Sequence, residues 1–404
     1  MRILVSGASI AGPVLAFWLA RYGFAVTVVE RAPALHKTGG HAVDLFRPAM
    51  EISAQMGVQP RIEALATGTT RLAIYREGHQ RPLRVDLGKI YRAASDRHVE
   101  IMRDDLSEIY YETTQHDVEY LFGDSISSIS PAGDVSFEHG ATRRFDAVVG
   151  ADGLHSNVRR LMFGDETRFT RFLGAYLAVA SVPKMLALER EMSCHVAVGR
   201  GAALYTAEHL DDARLVFLFR SAELRYAHGD TPQQKEILRH AFAGMDPQVQ
   251  SWLEQLDAAS TFYFDSITQL ELDEWSRGRV TLVGDAGYCP GPAVGGSTSL
   301  AVVGAYVLAG ELARADGDLT HAFAAYERQM REPVRQSRAF ARGAAKTIVP
   351  GTRTAVWALT RGAQLVSLLP TPLTRAAAKL NTRGVRLHDS IPLPSYAALR
   401  TDRG

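Results

Sequence analysis

Cysteine is nearly absent from this chain of 404 residues. Only Cys194 and Cys289 are present, without metal-ligand spacing. Two cysteines are too few for a disulfide framework, so we expect a reduced compartment and no bound metal. The chain opens on an apolar strand, without the basic and hydrophobic regions of a signal peptide, which favours a cytoplasmic protein.

Long hydrophobic runs are absent as well. The longest, Leu300 to Gly310, ends at Glu311, whereas a helix needs roughly 20 apolar residues to cross a bilayer. We therefore expect no transmembrane helix. With 46% hydrophobic and 22% charged residues, the composition is that of a globular protein with two or three domains.

Acidic residues are missing between Pro333 and His388, although this stretch contains ten lysines and arginines. Because the whole chain has a net charge of +1, the remainder carries a net charge of about −9. We expect the basic segment to pack against the acidic body of its own chain, and contact with an anionic membrane is the less favoured alternative. No nucleic-acid-binding module is visible, so no nucleic-acid partner is expected.

Two patterns of secondary structure follow each other along the chain. The first residues predict a strand, a helix and a second strand, which is a βαβ unit. Glu100 to Tyr111 is predicted to be helical. From Phe172 to Arg220 several strands follow one another without helices, which is typical of an antiparallel sheet inserted into an α/β domain. After Ser297 the chain is mainly helical, with breaks at 316–318, 350–351 and 370–372.

The first glycine loop, "VSGASIAG", lies between the predicted strand and helix. Such a loop lets a pyrophosphate approach the free N–H groups of a helix N-terminus. Glu30 ends the next strand, where a carboxylate accepts hydrogen bonds from a ribose. Arg31 either covers an adenine or is a surface residue. The unit predicts adenine dinucleotide binding through a set of loop residues, namely Gly7, Ser9, Ile10, Ala11 and Gly12.

Two later motifs also follow predicted strands. "FDAVVGADGLHSNVRR" ends its strand in a turn of small residues, where Asp152 and Arg159 can tie the backbone together. "GRVTLVGDAG" places Asp285 at the end of another strand. Together with the first loop, they suggest a ligand that runs across the edge of one sheet.

With these three motifs in this order, the chain resembles the single-component FAD-dependent aromatic hydroxylases of the para-hydroxybenzoate hydroxylase type. It is most similar to the bacterial branch of tetracycline-modifying and natural-product monooxygenases. The resemblance covers Met1 to about Met330. It implies an α/β fold: a Rossmann-like FAD-binding domain with a mixed sheet like that of glutathione reductase, an inserted antiparallel substrate sheet, and a C-terminal helical segment.

The resemblance also implies domain boundaries. The FAD-binding domain is expected to be discontinuous, with the substrate-binding domain inserted and a basic helical segment at the end. The predicted ranges are 1–72, 98–171 and 275–332 for the first, 73–97 and 172–274 for the second, and 333–404 for the third.

By the same resemblance, the motifs assign roles to residues that would hold FAD. Glu30 is expected on the adenosine ribose, Arg103 beside the ribityl-phosphate region, and Asp285 on the ribityl chain or pyrophosphate. Asp152 and Gly153 belong to a motif linked to both FAD and NAD(P)H. Arg47 is a flavin or nicotinamide candidate. Pro292 is expected to stiffen the loop beside the flavin ring. At the start of the helix that begins at Ser297, N–H groups are offered to the flavin pyrimidine by Gly295, Gly296, Ser297 and Thr298. Tyr288 and Ser297 depart from the residues common in relatives.

The implied reaction uses NAD(P)H to reduce FAD and O2 to form a flavin C4a-hydroperoxide, which hydroxylates an aromatic or polycyclic small molecule. Two alternatives remain open: an FAD-linked oxidoreductase that inserts no oxygen, and a non-catalytic FAD-containing ligand-binding protein. A flavin halogenase is less favoured because its Trp-x-Trp-x-Ile-Pro segment is absent. A monomer or homodimer is expected.

Four side chains are candidates for the substrate pocket. His41 follows two glycines in a predicted loop, although a lone histidine more often makes a structural hydrogen bond. The inserted sheet offers His195, Tyr205 and Phe217, although aromatic residues at strand spacing are more often part of a core. No catalytic base can be named from the sequence.

Overall fold

The chain was examined as a computed structural model, which describes residues 1–35, 39–95, 97–184, 188, 190–292, 296–370 and 387–399. Its strands are β1 (Arg2–Ser6), β2 (Ala25–Glu30), β3 (Ala42–Leu45), β4 (Arg71–Arg76), β5 (Leu83–Asp86), β6 (Val99–Met102), β7 (Glu119–Phe122), β8 (Ile126–Ile129), β9 (Asp134–Phe137), β10 (Arg143–Arg144), β11 (Ala147–Gly150), β12 (Thr170–Pro183), β13 (Glu191–Ala197), β14 (Arg200–Tyr205), β15 (Asp212–Arg220), β16 (Thr261–Leu270), β17 (Ser276–Arg277) and β18 (Val280–Leu282). Its helices are α1 (Ala11–Arg21), α2 (Arg47–Gln55), α3 (Gln59–Ala64), α4 (Leu87–Ala94), α5 (Arg103–Glu112), α6 (Asn157–Phe163), α7 (Thr231–Phe242), α8 (Pro247–Glu254), α9 (Asp285–Tyr288), α10 (Ser297–Arg314), α11 (Leu319–Ile348) and α12 (Arg353–Leu368).

The predicted βαβ opening belongs to a six-stranded sheet with the order β17-β18-β11-β1-β2-β7. Its pairs are parallel except for β17 with β18. The central strands are buried along most of their length, as expected for a parallel sheet covered on both faces. The mixed sheet of the predicted fold class is therefore confirmed.

The inserted sheet has seven strands in the order β16-β12-β15-β14-β13-β4-β5. Five of its pairs are antiparallel, as predicted. The pair β13 with β4 is parallel, which the sequence did not indicate. The reason is that β4 comes from an earlier part of the chain, so no hairpin fixes its direction relative to β13.

One face of the inserted sheet is covered by α7 and α8. Phe217 packs against Phe242 there, and Trp252 is fully buried in the same cluster. On the other face, Leu177 and Val179 pack against Ala341 of α11. The part of this second face that α11 leaves uncovered becomes the wall of the cavity described below.

The C-terminal helices begin and end close to the predicted breaks. α11 starts after Asp318, whose side chain accepts a hydrogen bond from the N–H of His321. However, the predicted domain boundary between 332 and 333 falls inside α11, because this helix continues through Pro333. That boundary is wrong; the other domain boundaries remain predictions. No helix among the described residues is both long and apolar enough to cross a membrane.

The basic segment contacts its own chain where the structure describes it. Arg342 donates to Gln269 at 3.1 Å and lies 3.5 Å from Glu271. Arg335 pairs with Glu332. On α12, four large apolar side chains are exposed, namely Trp357, Leu359, Leu365 and Leu368. Arg375, Lys379, Arg383 and Arg386, also basic, lie outside the described residues.

Candidate functional site

The carboxyl ends of four neighbouring strands bring the predicted FAD-binding motifs together. Glu30 ends β2, Gly7 follows β1, Asp152 follows β11 and Asp285 follows β18. These strands are adjacent in the sheet and run in the same direction. Ligands of open α/β sheets bind at this edge.

The first glycine loop leaves no room for side chains. Gly7 has φ +106°, and a Cβ atom there would lie 2.6 Å from the carbonyl oxygen of Ala151. A Cβ atom on Gly12 would lie 1.9 Å from the carbonyl oxygen of Gly7. α1 begins at Ala11 without a side-chain cap at Ile10, so its first N–H groups are available to a ligand. The backbone here forms the cradle that a pyrophosphate needs.

Glu30 lies beside this loop. Its two carboxylate oxygens accept hydrogen bonds from the backbone N–H groups of Ala8 and Ala32, each at 2.9 Å. These bonds hold the side chain in place, and each oxygen has a further lone pair for a ribose hydroxyl. Arg31 is exposed next to it.

Asp152 ties down the second motif. Its carboxylate accepts hydrogen bonds from the Ser156 hydroxyl at 2.5 Å and from the Val158 N–H at 3.0 Å. Burial raises the pKa of Asp152. The buried Arg159 donates to the carbonyl of Ala286 at 3.0 Å, so the second motif is bonded to the third. Gly153, with φ +80°, completes the turn.

Arg103 lies at the centre of the site. It is the first residue of α5 and donates to the Ser9 hydroxyl at 3.2 Å. Its positive charge opposes the rise in the pKa of Asp285 that burial causes. Burial and, to a lesser degree, the charge of Arg103 lower the pKa of His41 to about 4. Arg103 thus connects the first loop, the third motif and His41.

The start of α10 supplies the last part of the predicted FAD site. Its N-cap is Gly296, with φ +84° and no side-chain cap. Ser297 and Thr298 follow in the first turn, and Pro292 lies partly exposed in the preceding loop. Gly295 lies outside the described residues. The glycine cradle, the fixed acid at Glu30, the cation at Arg103 and two uncapped helix N-termini fit FAD.

A cavity of about 330 Å³ adjoins the start of α10. The inserted sheet, β3 and the end of α11 form its walls. The lining residues are His41, Ala42, Val43, Asp44, Glu100, Leu177, Met192, Cys194, Val196, Gly201, Ala202, Ala203, Tyr205, Val216, Leu218, Gly296, Ser297, Thr298 and Ile348. Since it contacts the predicted flavin-binding backbone, this cavity is the candidate substrate site.

Two of the four pocket candidates line this cavity. His41 contributes one wall, and Tyr205 contributes another. The Tyr205 hydroxyl accepts a hydrogen bond from the N–H of Ala42 at 2.7 Å, which joins the inserted sheet to β3.

The other two candidates face away from the cavity and are corrected. Phe217 is fully buried against α7, since its strand neighbours Val216 and Leu218 point to the cavity instead. His195 stacks on Tyr75 on the opposite face of the sheet. Side chains alternate between the two faces of each strand, and both predicted residues lie on the face opposite the cavity.

Arg47 is also placed differently from the prediction. Its guanidinium donates to the carbonyl of Asp389, and its backbone N–H donates to the Asp389 carboxylate, both at 3.0 Å. Arg47 therefore holds the C-terminal segment in this structure. Tyr288, which departs from relatives, is buried and accepts a hydrogen bond from Tyr326.

His388 is a site residue that sequence reasoning missed. It is buried, stacks on Phe46 at 5.5 Å, and neither ring nitrogen has a hydrogen-bond partner among the described residues. A Cβ atom on Gly296 would lie 1.9 Å from its Nε2 atom. Burial lowers the pKa of His388 to about 4, so the ring is neutral. No local motif marks it, because it reaches the site from the end of the chain.

A family model described as "FAD binding domain" matches residues 1–335 of this chain. The chain belongs to this FAD-binding family. Its fold, its flavin cofactor and its place among the FAD-dependent monooxygenases, all predicted from the three motifs, are confirmed.

Relatives of this family member include bacterial proteins of similar length. An uncharacterised protein of Mycobacterium tuberculosis (strain H37Rv) is 42% identical over 331 residues, which are 80% of this chain and 88% of the relative. A flavin-dependent monooxygenase of Legionella longbeachae is 36% identical over 344 residues, covering 84% and 87% of the two chains. Among solved structures, the tetracycline destructase Tet(55) is 32% identical, with a TM-score of 0.81 over 98% of both chains.

Proposed function

We propose that this FAD-dependent monooxygenase hydroxylates an aromatic or polycyclic small molecule, with NAD(P)H as reductant and O2 as oxidant. The observation that carries the proposal is the cavity of about 330 Å³, which shares Gly296, Ser297 and Thr298 with the predicted flavin-binding backbone. A substrate in this cavity would lie next to the flavin. The names of a flavin-dependent monooxygenase and a tetracycline destructase among the relatives support the same reaction.

Within this proposal, the residues divide between holding the cofactor and enclosing the substrate. Bound FAD supplies the redox chemistry that activates oxygen. Gly7, Gly12 and Glu30 bind its adenosine diphosphate part, and Arg103 and Asp285 bind its ribityl arm. The uncapped N-terminus of α10 offers N–H groups to negative charge on the ring.

The cavity residues position the substrate and exclude water. Leu177, Val216 and Leu218 give the cavity an apolar wall, which limits access of water to the reacting atoms. His41 is neutral near pH 7 because its pKa is about 4. It can therefore hydrogen-bond a substrate hydroxyl without adding charge to the site.

The use of NAD(P)H as reductant, the cytoplasmic location and the monomeric or dimeric state remain predictions. For the nicotinamide, Asp152 and Gly153 are the proposed region of contact. Arg47 lies outside the proposed cofactor-binding set, because its guanidinium and its backbone N–H are bonded to Asp389.

Incorporation of labelled oxygen tests the proposed reaction. The purified holoenzyme is incubated with NADH or NADPH, ¹⁸O2 and a panel of phenols and polycyclic aromatic compounds, and hydrogen peroxide is measured in parallel. We expect substrate-stimulated NAD(P)H oxidation and a product that carries one ¹⁸O atom. Equal product formation without O2 would instead identify an oxidoreductase that inserts no oxygen. Ligand binding without NAD(P)H oxidation across the panel would favour a non-catalytic role.

A further inference from the structure

Two carboxylates lie side by side in the wall of the candidate substrate cavity. Asp44 of β3 and Glu100 of β6 are directly opposite each other in an antiparallel pair. Both line the cavity. Cross-strand partners share one face of a sheet with Cβ atoms about 5 Å apart, and like charges in this position destabilise the pair.

The groups around this acidic pair hydrogen-bond to only one oxygen of each carboxylate. His98 Nε2 lies 2.6 Å from Asp44 Oδ1, and the Thr67 hydroxyl donates to Glu100 Oε2. The remaining oxygens, Asp44 Oδ2 and Glu100 Oε1, accept no hydrogen bond from the described residues. Two carboxylate oxygens are thus left for a ligand that can donate.

Among the residues that the structure describes, no arginine or lysine lines the cavity to balance the acidic pair. Two arginines lie nearby without lining the cavity. Arg214 is paired with Asp212 at 2.6 Å, whereas Arg103 donates to Ser9 and its charge lowers the pKa of His41. His41, also in the cavity wall, is neutral near pH 7. The charged side chains in the described part of the lining are therefore the two carboxylates at one corner, which opposes an anionic substrate and attracts a cationic one.

We propose that Asp44 and Glu100 select an aromatic substrate that carries a protonated amine, with the ammonium group bound between the two carboxylates. The inference rests on the proposed hydroxylase function for the aromatic part of the substrate. The preference for a positively charged substrate is a separate property, because it depends on the two acids of β3 and β6.

The pKa of Glu100 is consistent with a binding site for an ammonium group. Burial, with a contribution from Asp44, raises the pKa of Glu100 to about 7. Within the described part of the chain, the titratable or charged groups that face Glu100 are Asp44, His98, Tyr91 and Tyr205. When an ammonium group arrives, it favours the ionised form of Glu100, so a proton leaves as the amine binds. The affinity for an amine should then increase as the pH rises from 6 to 8.

A pair of phenols with the same shape tests the inference. 3-(Dimethylaminomethyl)phenol is cationic near pH 7, and 3-isobutylphenol is its neutral isostere. 3-Hydroxyphenylacetate is the anionic third probe. Dissociation constants are measured with the holoenzyme from the change in flavin absorbance, between pH 6 and 8, and hydroxylation of each phenol is followed by mass spectrometry.

The wild-type enzyme should bind the amine about tenfold more tightly than the isostere at pH 8, as expected for one charge-assisted hydrogen bond. The anion should bind most weakly. The preference for the amine should disappear in a variant with both Asp44→Asn and Glu100→Gln. Glu138→Gln, at an exposed acid that does not line the cavity, is the matched control and should keep the preference.

Equal affinity of the wild-type enzyme for the amine and the isostere would overturn the inference, as would an amine affinity that does not change with pH. These two wild-type measurements decide the question even if the double variant fails to fold. Binding that prefers the amine without hydroxylation of any phenol would contradict only the proposed function. Hydroxylation of both phenols without a preference would contradict only the inference.

Discussion

At the scale of single residues, glycine positions in the first loop are fixed by close approach of the backbone. Gly12 is the clearest case, because a Cβ atom there would lie 1.9 Å from the Gly7 carbonyl oxygen. In contrast, Gly362 in α12 has no atom within 4 Å of an added Cβ. A Gly→Ala substitution removes a glycine at both positions, but the added methyl group meets the backbone only at Gly12.

Gly12→Ala is expected to reduce FAD binding and to destabilise the protein by about 1–3 kcal/mol, because the added methyl group forces the loop and α1 apart. The measurement is flavin absorbance per mole of purified protein, followed by FAD titration. Gly362→Ala is the control and should retain full flavin content. A Gly12→Ala variant with unchanged FAD affinity would contradict the role of the loop.

His155 connects the second motif to the inserted sheet through charge. Its Nε2 lies 2.9 Å from Asp265, and its Nδ1 lies 3.1 Å from Glu166. Hydrogen bonds to Asp265 and then Glu166 raise the pKa of His155 to about 10. Arg159 also pairs with Glu166, and the His228 ring packs 4.6 Å from His155.

The pKa of His155 is higher in the folded protein than in the unfolded chain. Its protonation therefore stabilises the fold, and this stabilisation is complete below about pH 6.5. This stabilisation decreases as the pH rises towards 10. The free energy of unfolding in urea should therefore differ more between the wild type and His155→Gln at pH 6 than at pH 9.5. A difference that grows with pH would show that the ring is neutral in the folded state.

At the scale of elements, the alternation of β15 divides its side chains between core and cavity. Phe217 is fully buried against Phe242, with ring centroids 5.1 Å apart. The next residue, Leu218, is partly exposed to the cavity. Adjacent residues of one strand thus contribute to stability and to substrate binding respectively.

Phe217→Ala should lower the free energy of unfolding by about 3–5 kcal/mol, as for other buried aromatic residues. Leu218→Ala should cost less stability, enlarge the cavity and increase the fraction of NAD(P)H oxidised without hydroxylation. Urea unfolding and the ratio of product to hydrogen peroxide measure the two effects. If Leu218→Ala changes neither KM nor this ratio, the cavity is not the substrate site.

At the scale of the whole molecule, the end of the chain returns to the FAD-binding part. Asp389 accepts hydrogen bonds from the N–H of Arg47 and from the Ser95 hydroxyl, each at 3.0 Å. The N-cap residue of α2 is Phe46, which has no capping side chain. Asp389 therefore acts as the cap of α2 from a distant part of the sequence, and it places His388 beside Gly296.

Asp389→Ala should destabilise the protein by about 1–2 kcal/mol, the usual effect of a lost helix cap with charge-assisted bonds. The same change should weaken FAD binding, because His388 loses its anchor. Asp117→Ala, at an exposed acid, is the control for urea unfolding and FAD titration. Equal stability of the two variants would show that the C-terminal segment is not held by this contact.

Much of the site was predictable because it follows from local sequence. Each of the three motifs joins a strand to a tight turn, and parallel strands bring their ends to one edge. For the same reason Glu30, Asp152 and Asp285 lie at that edge. Helix breaks at 316–318 and 350–351 were also predictable from glycine, proline and aspartate.

The acidic pair was missed because Glu100 was assigned to a helix. The helix begins at Arg103, and Glu100 instead belongs to β6. Short strands of four residues carry little periodicity, so a strand followed at once by a helix reads as one element. An acid within each of two short apolar segments, "AVDL" and "VEIM", was the available signal.

The sequence by itself therefore determined the family, the cofactor and the fold class, since these depend on short motifs and on local preferences. Tertiary structure alone decided which face of each inserted strand meets the cavity, that Arg47 binds Asp389, and that Asp44 and Glu100 become neighbours. These features depend on pairing between distant segments, and the side-chain alternation of a strand does not state which of its two faces is covered.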